Sequence, residues 1–279
     1  MDIPSENPMA AADENHVPAP PARQPGVWSG LGTVALYFLL QFGFGLLVGV
    51  AIGFWVAFKA GFFAGLQHRK PQLHNITQAA MASPELRVVL TVVTIAAAAA
   101  VMIALVRQTW PALWSRADLP GFGFARPKKA SAYVAAVLLG VAILLCGGIL
   151  THFLAQGHPF HQDVSVLAGK VPLGMRVVLA LLVVCVAPIV EELVFRGVLL
   201  SGLARRMHVG WAILVSAVIF GCVHLPDFRF AWYPVPALIL LGLVSGWLRV
   251  RARSLWPSIT LHATNNLVAA ILWLAVAHH

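Results

Sequence analysis

The sequence predicts an all-α fold, a polytopic membrane helical bundle of about seven transmembrane helices, and three observations carry that prediction. Hydrophobic residues make up 59% of the 279 and charged residues only 10%, where soluble domains carry about a quarter charged. The mean hydropathy is +0.83. The apolar residues gather into long stretches suited to a hydrocarbon core about 30 Å thick, separated by connections that hold most of the basic residues. The formal charge of +9 therefore reports orientation in a lipid bilayer, not nucleic-acid binding, since no basic patch interleaves with aromatics. Cys146, Cys185 and Cys222 fall in apolar stretches without CxxC or Cys/His spacing, and are read as small buried hydrophobes.

In chain order, residues 1–26 hold six prolines and four acidic residues with no apolar run, which predicts a disordered tail and no signal peptide. Residues 27–174 form an N-terminal part of helices and loops, and 175–279 the part that carries the chemistry. The first span is 31–58, with Gly45, Gly49 and Gly53 as a stripe for close helix packing. A polar connection, 59–86, leaves room for a short surface helix. The second span is 88–106; the connection after it carries basic residues, with Trp110 and Trp114 as interfacial anchors. The third span is 133–154. His158, His161 and Asp163 follow on a loop, where they resemble metal ligands but are read as solvated. The fourth span is 175–203, kinked by Pro188. The fifth is 211–225, the sixth 232–248 and the seventh 254–277. The connections on the N-terminal side carry eleven basic residues and the opposite ones seven. The positive-inside rule then puts the N-terminus in the cytoplasm, with the plasma (inner) membrane as the expected location.

The fourth span contains Glu191, Glu192 and Arg196 in an otherwise almost wholly apolar run. A carboxylate at bilayer depth costs roughly 3 to more than 10 kcal/mol, so each needs a partner. Glu192 and Arg196 are four apart and share a helix face, which predicts an ion pair. Glu191 is rotated by about 100° and needs a partner from elsewhere. The polar groups available are His224, one helical repeat after Phe220, and His262 with Asn266 on one face of the seventh span. A carboxylate and an imidazole can deprotonate water, while a second imidazole and an amide can stabilise an oxyanion. Glu191, His224 and His262 equally form a two-His, one-carboxylate set able to hold zinc. No Ser or Cys stands in a nucleophile setting.

Glu191-Glu192-x-x-x-Arg196, Phe220-x-x-x-His224 and His262-x-x-x-Asn266 together resemble the three motifs of the CAAX protease and bacteriocin-processing family, also called Abi, over roughly 175–277. The resemblance implies an intramembrane endopeptidase acting on a membrane-associated protein or peptide. Glu191 and His224 would activate water, His262 and Asn266 would form the oxyanion hole, and Glu192, Arg196 and Phe220 would support them. It leaves zinc open, since both metal-dependent and metal-free mechanisms are argued for the family. Two rival classes use the same residues: a non-catalytic immunity or maturation factor on this scaffold, and a proton-coupled transporter with Glu191 and His224 as a relay. The transporter reading lacks the paired broken-helix repeats that such folds show.

Overall fold

The computed structural model describes residues 23–68, 73–158 and 162–276. Nearly all of the tail expected over 1–26, His161, and the Arg69–Lys70–Pro71 part of the first connection lie outside them. The described residues are helical, without strands.

Helix α1, Val27–Leu66, has 40 residues and is about 60 Å long, well over the hydrocarbon thickness. Helix α2, Leu73–Ala82, is the short helix the connection had room for, and packs back on α1. Helix α3, Pro84–Thr109, starts at a Ser83 cap with proline in its first turn, where a missing N–H costs nothing. Helix α4 is Ser131–Ala155 and α5 the short Asp163–Ala168. Helix α6 runs through Leu173–Ala204, followed by α7, Val209–Cys222, α8, Val235–Ala252, and α9, Trp256–Val276.

Five of these helices (α1, α3, α4, α6 and α8) are long and apolar enough to cross a membrane. Helix α7, with 14 residues, spans only about 21 Å, and α9 carries His262, Asn265 and Asn266 among its apolar residues. The chain is a polytopic helical bundle, as its sequence predicts.

The C-terminal half of α6 lies at the centre and is apolar on nearly every side, the pattern of an enclosed helix, while Leu173, Val177, Val178 and Leu181 in its first half are exposed. Leu193 to Leu200 are each almost completely buried. Around α6 pack α1, α3, α7 and α9, with α4 set against α8 and α9. Gly140 and Gly147 make the α4 contacts possible. A Cβ at Gly140 would meet Leu261 O at 2.6 Å, and one at Gly147 would meet Ala237 Cβ at 3.0 Å.

Three expectations are corrected. Of the expected glycine stripe, Gly45 is not a close-packing position, since a Cβ there would only reach Thr94 at an ordinary 3.8 Å. The buried face of α1 is Gly30, Thr33, Val34 and Tyr37 instead, and α1 lies at the edge of the bundle. The cysteines are exposed rather than buried. Trp110 is buried edge-on against Phe122, and Trp114 stacks flat on Phe124 with ring centroids 4.2 Å apart. Both rings pack against aromatic side chains of their own loop.

That loop, between α3 and α4, is held by the end of α8. Arg249 is buried and donates to Ala117 O (2.9 Å) and Gly121 O (2.6 Å). Gly123 has φ +80, and a Cβ there would sit 2.6 Å from the Arg249 guanidinium carbon, so glycine is required on both counts. Leu255 N–H donates to Gly123 O, and Arg253 pairs with Asp118.

Candidate active site

The site begins with a break in α6. Residues Leu182–Val186 form a π-helical segment, in which Ala187 N–H reaches back five residues to Leu182 O. The next amide in that register belongs to Pro188, which has no N–H. The carbonyl five residues before it, Val183 O, is therefore left without its helical donor. Asn266 fills the position from α9, its Nδ2 lying 2.8 Å from Val183 O. A second π-helical segment, Leu193–Leu199, follows the two glutamates, with Leu200 N–H donating to Phe195 O. Such segments are rare and concentrate at functional sites.

Between the two segments, Glu191 and Glu192 point to different partners. Glu192 is 0% exposed and Arg196 1%, and Arg196 Nη1 lies 3.3 Å from Glu192 Oε1, so the expected pair forms. It is an ionic contact without hydrogen-bond alignment, and the guanidinium N–H groups have no aligned acceptor among the described residues. The guanidinium instead lies 4.3 Å over the Phe220 ring, a cation–π contact. Gly242 leaves space for it, since a Cβ there would come within 3.0 Å of Arg196 Nη2. The same Glu192 oxygen also sits 3.0 Å from His262 Nδ1, a contact the sequence did not suggest.

His224 lies just past the end of α7, at the start of the 3₁₀ turn Leu225–Phe228. Its Nδ1 is 2.7 Å from Phe220 O. A carbonyl only accepts, so Nδ1 carries the proton and Nε2 is left as the free position. His262 is held the same way, with Nδ1 on the Glu192 carboxylate. Both Nε2 atoms then face Glu191 Oε2, at 3.9 Å for His224 and 3.8 Å for His262. Phe220 touches both imidazoles, with centroid distances of 4.8 and 5.7 Å. The partners Glu191 requires thus come from α7 and α9.

Glu191, Phe220, His224, His262 and Asn266 all line one cavity of about 410 Å³. One wall is apolar, with Ile143, Leu144, Leu238 and Leu241. The other end carries Asp163 and Asp227, and Asp163 pairs with Arg229 at the surface. His158 is turned away, its Nδ1 bonded to Ala155 O.

Glu191, His224 and His262 do not fit a zinc ion as they stand. Tetrahedral ligands at about 2.0–2.1 Å lie about 3.4 Å from one another, and these pairs are 3.8 and 3.9 Å apart. Among the described residues no group of three His, Cys, Asp or Glu is arranged to hold a metal. The gaps lie between that spacing and the roughly 4.6 Å spanned by a tetrahedral water with about 2.8 Å contacts on each side, so a bridging water fits at an angle of about 87°.

Tyr37, from α1, and Asn265, which donates to Asn266 Oδ1 at 3.3 Å, also line the cavity and were missed from the sequence. A readable signal existed for Tyr37: Gly30, Thr33, Val34 and Tyr37 sit at i, i+3, i+4 and i+7, the spacing of a buried stripe.

Residues 173–268 match the family model described as type II CAAX prenyl endopeptidase Rce1-like. A protein of Bacillus subtilis (strain 168) named "Putative membrane peptidase YdiL" is 30% identical over 89 residues, which make up 32% of this chain and 34% of that protein. The alignment thus spans about a third of the relative's length. No solved structure matches the chain. The resemblance drawn from the three motifs holds: the matched segment contains all of them and runs from the start of α6 into α9.

Proposed function

We propose that the chain is an intramembrane endopeptidase that hydrolyses a peptide bond of a membrane-associated protein or peptide with a water activated by Glu191. The observation that supports this most is the placing of both imidazole Nε2 atoms within 3.9 Å of one carboxylate oxygen, in a cavity large enough for a peptide segment. In this reading a water sits between Glu191 Oε2 and His224 Nε2 and gives its proton to Glu191. Its oxygen attacks the scissile carbonyl, and Glu191 returns the proton to the leaving amine as the C–N bond breaks. His262, fixed at Nδ1 by Glu192, presents Nε2–H to the oxyanion when charged. Asn266 adds the amide proton not given to Val183 O. No step runs through a metal. The N-terminus is placed in the cytoplasm and the protein in the plasma membrane on the basic-residue asymmetry alone.

The test is turnover of a mixed membrane-peptide library by purified protein in lipid, with and without chelator. Wild type should cleave in both conditions. Glu191→Gln keeps the side-chain shape and removes the base, so turnover should fall by about a hundred- to ten-thousand-fold with the melting temperature preserved. Substantial turnover by that variant would remove Glu191 as the base. Loss of activity with chelator, restored by zinc, would restore the metal reading. A cellular phenotype kept by the inactive variant would favour the immunity-factor reading.

A further inference from the structure

We propose that Tyr37, on α1 and outside the segment matched to the family, donates a hydrogen bond to the carbonyl oxygen of the bond being cleaved. The inference rests on the peptidase reading and adds a residue to it.

The donors at the site are few and mostly committed. His224 uses Nδ1–H on Phe220 O, and His262 uses Nδ1–H on Glu192. Asn266 gives one amide proton to Val183 O, and its own oxygen accepts from Asn265. Glu191 is the base and supplies no donor at the moment of attack. A developing oxyanion gains most from donors already in place and not shared with the protein.

Tyr37 meets that description. The residue is 2% exposed and lines the cavity that holds Glu191, His224 and His262. Its hydroxyl has no hydrogen-bond partner among the described residues, although a buried tyrosine normally has one. It lies within electrostatic range of the Glu191 and Asp227 carboxylates. An unpartnered phenol beside a hydrolytic cavity points to a partner supplied by the substrate.

The packing of α1 fixes its height. A Cβ on Gly202 would meet Gly26 O at 2.5 Å, and one on Gly30 would meet Leu199 Cα at 3.1 Å. Advancing along α1 from Gly26 to Gly30 thus means going back along α6 from Gly202 to Leu199, so the two helices run antiparallel in contact. Seven residues beyond Gly30, a rise of about 10 Å, α1 is level with the stretch of α6 around Glu191 and Glu192. Tyr37 is that residue, and it shares the buried face of α1 with Gly30. The glycine contacts therefore hold the phenol at the depth of the proposed base.

The experiment compares Tyr37→Phe with wild type on the best-cleaved peptide from the library, in the same lipid. The variant keeps the ring and removes only the hydroxyl. The expected result is a fall in kcat of roughly ten- to a hundredfold, at or below the usual effect of one oxyanion donor, with KM within about twofold and the melting temperature unchanged. An unchanged kcat overturns the proposal, and so does a rise in KM alone, which would mark a contact made equally in the ground state. If Tyr37→Phe also loses thermal stability, 3-fluorotyrosine at position 37 separates the causes because it retains the hydroxyl. Its kcat should return towards wild type, and a kcat as low as that of the phenylalanine variant overturns the role. A wild type that cleaves nothing sinks the peptidase reading and this one with it, whereas an active wild type matched by Tyr37→Phe sinks this one alone.

Discussion

Glu192 Oε1 serves two neighbours at once, Arg196 Nη1 at 3.3 Å and His262 Nδ1 at 3.0 Å. The same carboxylate therefore joins the stability of the core to the alignment of an imidazole. Arg196→Ala removes one neighbour and leaves a buried carboxylate short of its countercharge. Breaking a buried pair in this way costs about 3–5 kcal/mol, and the Phe220 face loses its cation as well. The expected outcome is poor yield and a much lower melting temperature in detergent. An abundant, monodisperse variant as heat-stable as wild type would show the pair to be dispensable. Glu192→Gln acts differently. From spacing alone Glu192 is a partner for Arg196, so the variant should register first in stability. The His262 contact makes Glu192 a positioning residue too: an amide can turn its oxygen to only one neighbour and no longer favours an imidazolium. Turnover should fall by roughly tenfold or more, as when the orienting group of a hydrolytic triad is neutralised. Comparing kcat with the melting temperature of the same preparation checks this.

At the scale of elements, the break in α6 organises the site. Pro188 is visible in the sequence and predicts a kink. What it does not announce is a π register in which Val183 O loses its donor, or that Asn266, eighty-three residues later, supplies it. Asn266 is legible as a site residue through its place four after His262, but that spacing speaks of a shared face and not of a bond to α6. The arrangement predicts a coupling. Asn266→Ala leaves Val183 O unpaired, at a cost of about 1–3 kcal/mol for a buried acceptor. Pro188→Ala restores an N–H at the position five residues on, where it can reach Val183 O itself. The double variant Pro188→Ala/Asn266→Ala should therefore be less destabilised than the sum of the two single changes. Thermal denaturation of all four proteins measures the interaction. Strict additivity would mean that the proline and the asparagine do not share that carbonyl.

Across the whole molecule, the parts read well from sequence are those set by local hydropathy. The long apolar helices and the convergence of Glu191, His224 and His262 follow from apolar runs and from the cost of charge within them. The parts read poorly depend on tertiary packing: Tyr37 faces the cavity because α1 is clamped against α6, and Trp110 is buried because its loop folds under α8. Arg249 is the clearest instance. Counted by position it is one more basic residue at a membrane surface, yet its guanidinium is buried and holds Ala117 O and Gly121 O. Arg253, four residues on, makes an exposed ion pair with Asp118. The two arginines should therefore differ sharply when removed. Arg249→Ala gives up two charge-assisted hydrogen bonds to buried carbonyls, together about 2–4 kcal/mol after the relief of an enclosed charge. Arg253→Ala should cost no more than about 1 kcal/mol, as for exposed pairs generally. Neither residue lines the cavity, so turnover at 25 °C should stay within about twofold of wild type in both. The loop should report the difference, because Arg116, followed by Ala117, offers trypsin a site within the segment that Arg249 holds down. Limited proteolysis should cut there in Arg249→Ala well before wild type or Arg253→Ala. Equal cleavage rates in all three proteins would show that the loop is held by its stacked rings alone, Trp114 on Phe124 and Phe124 against Trp256.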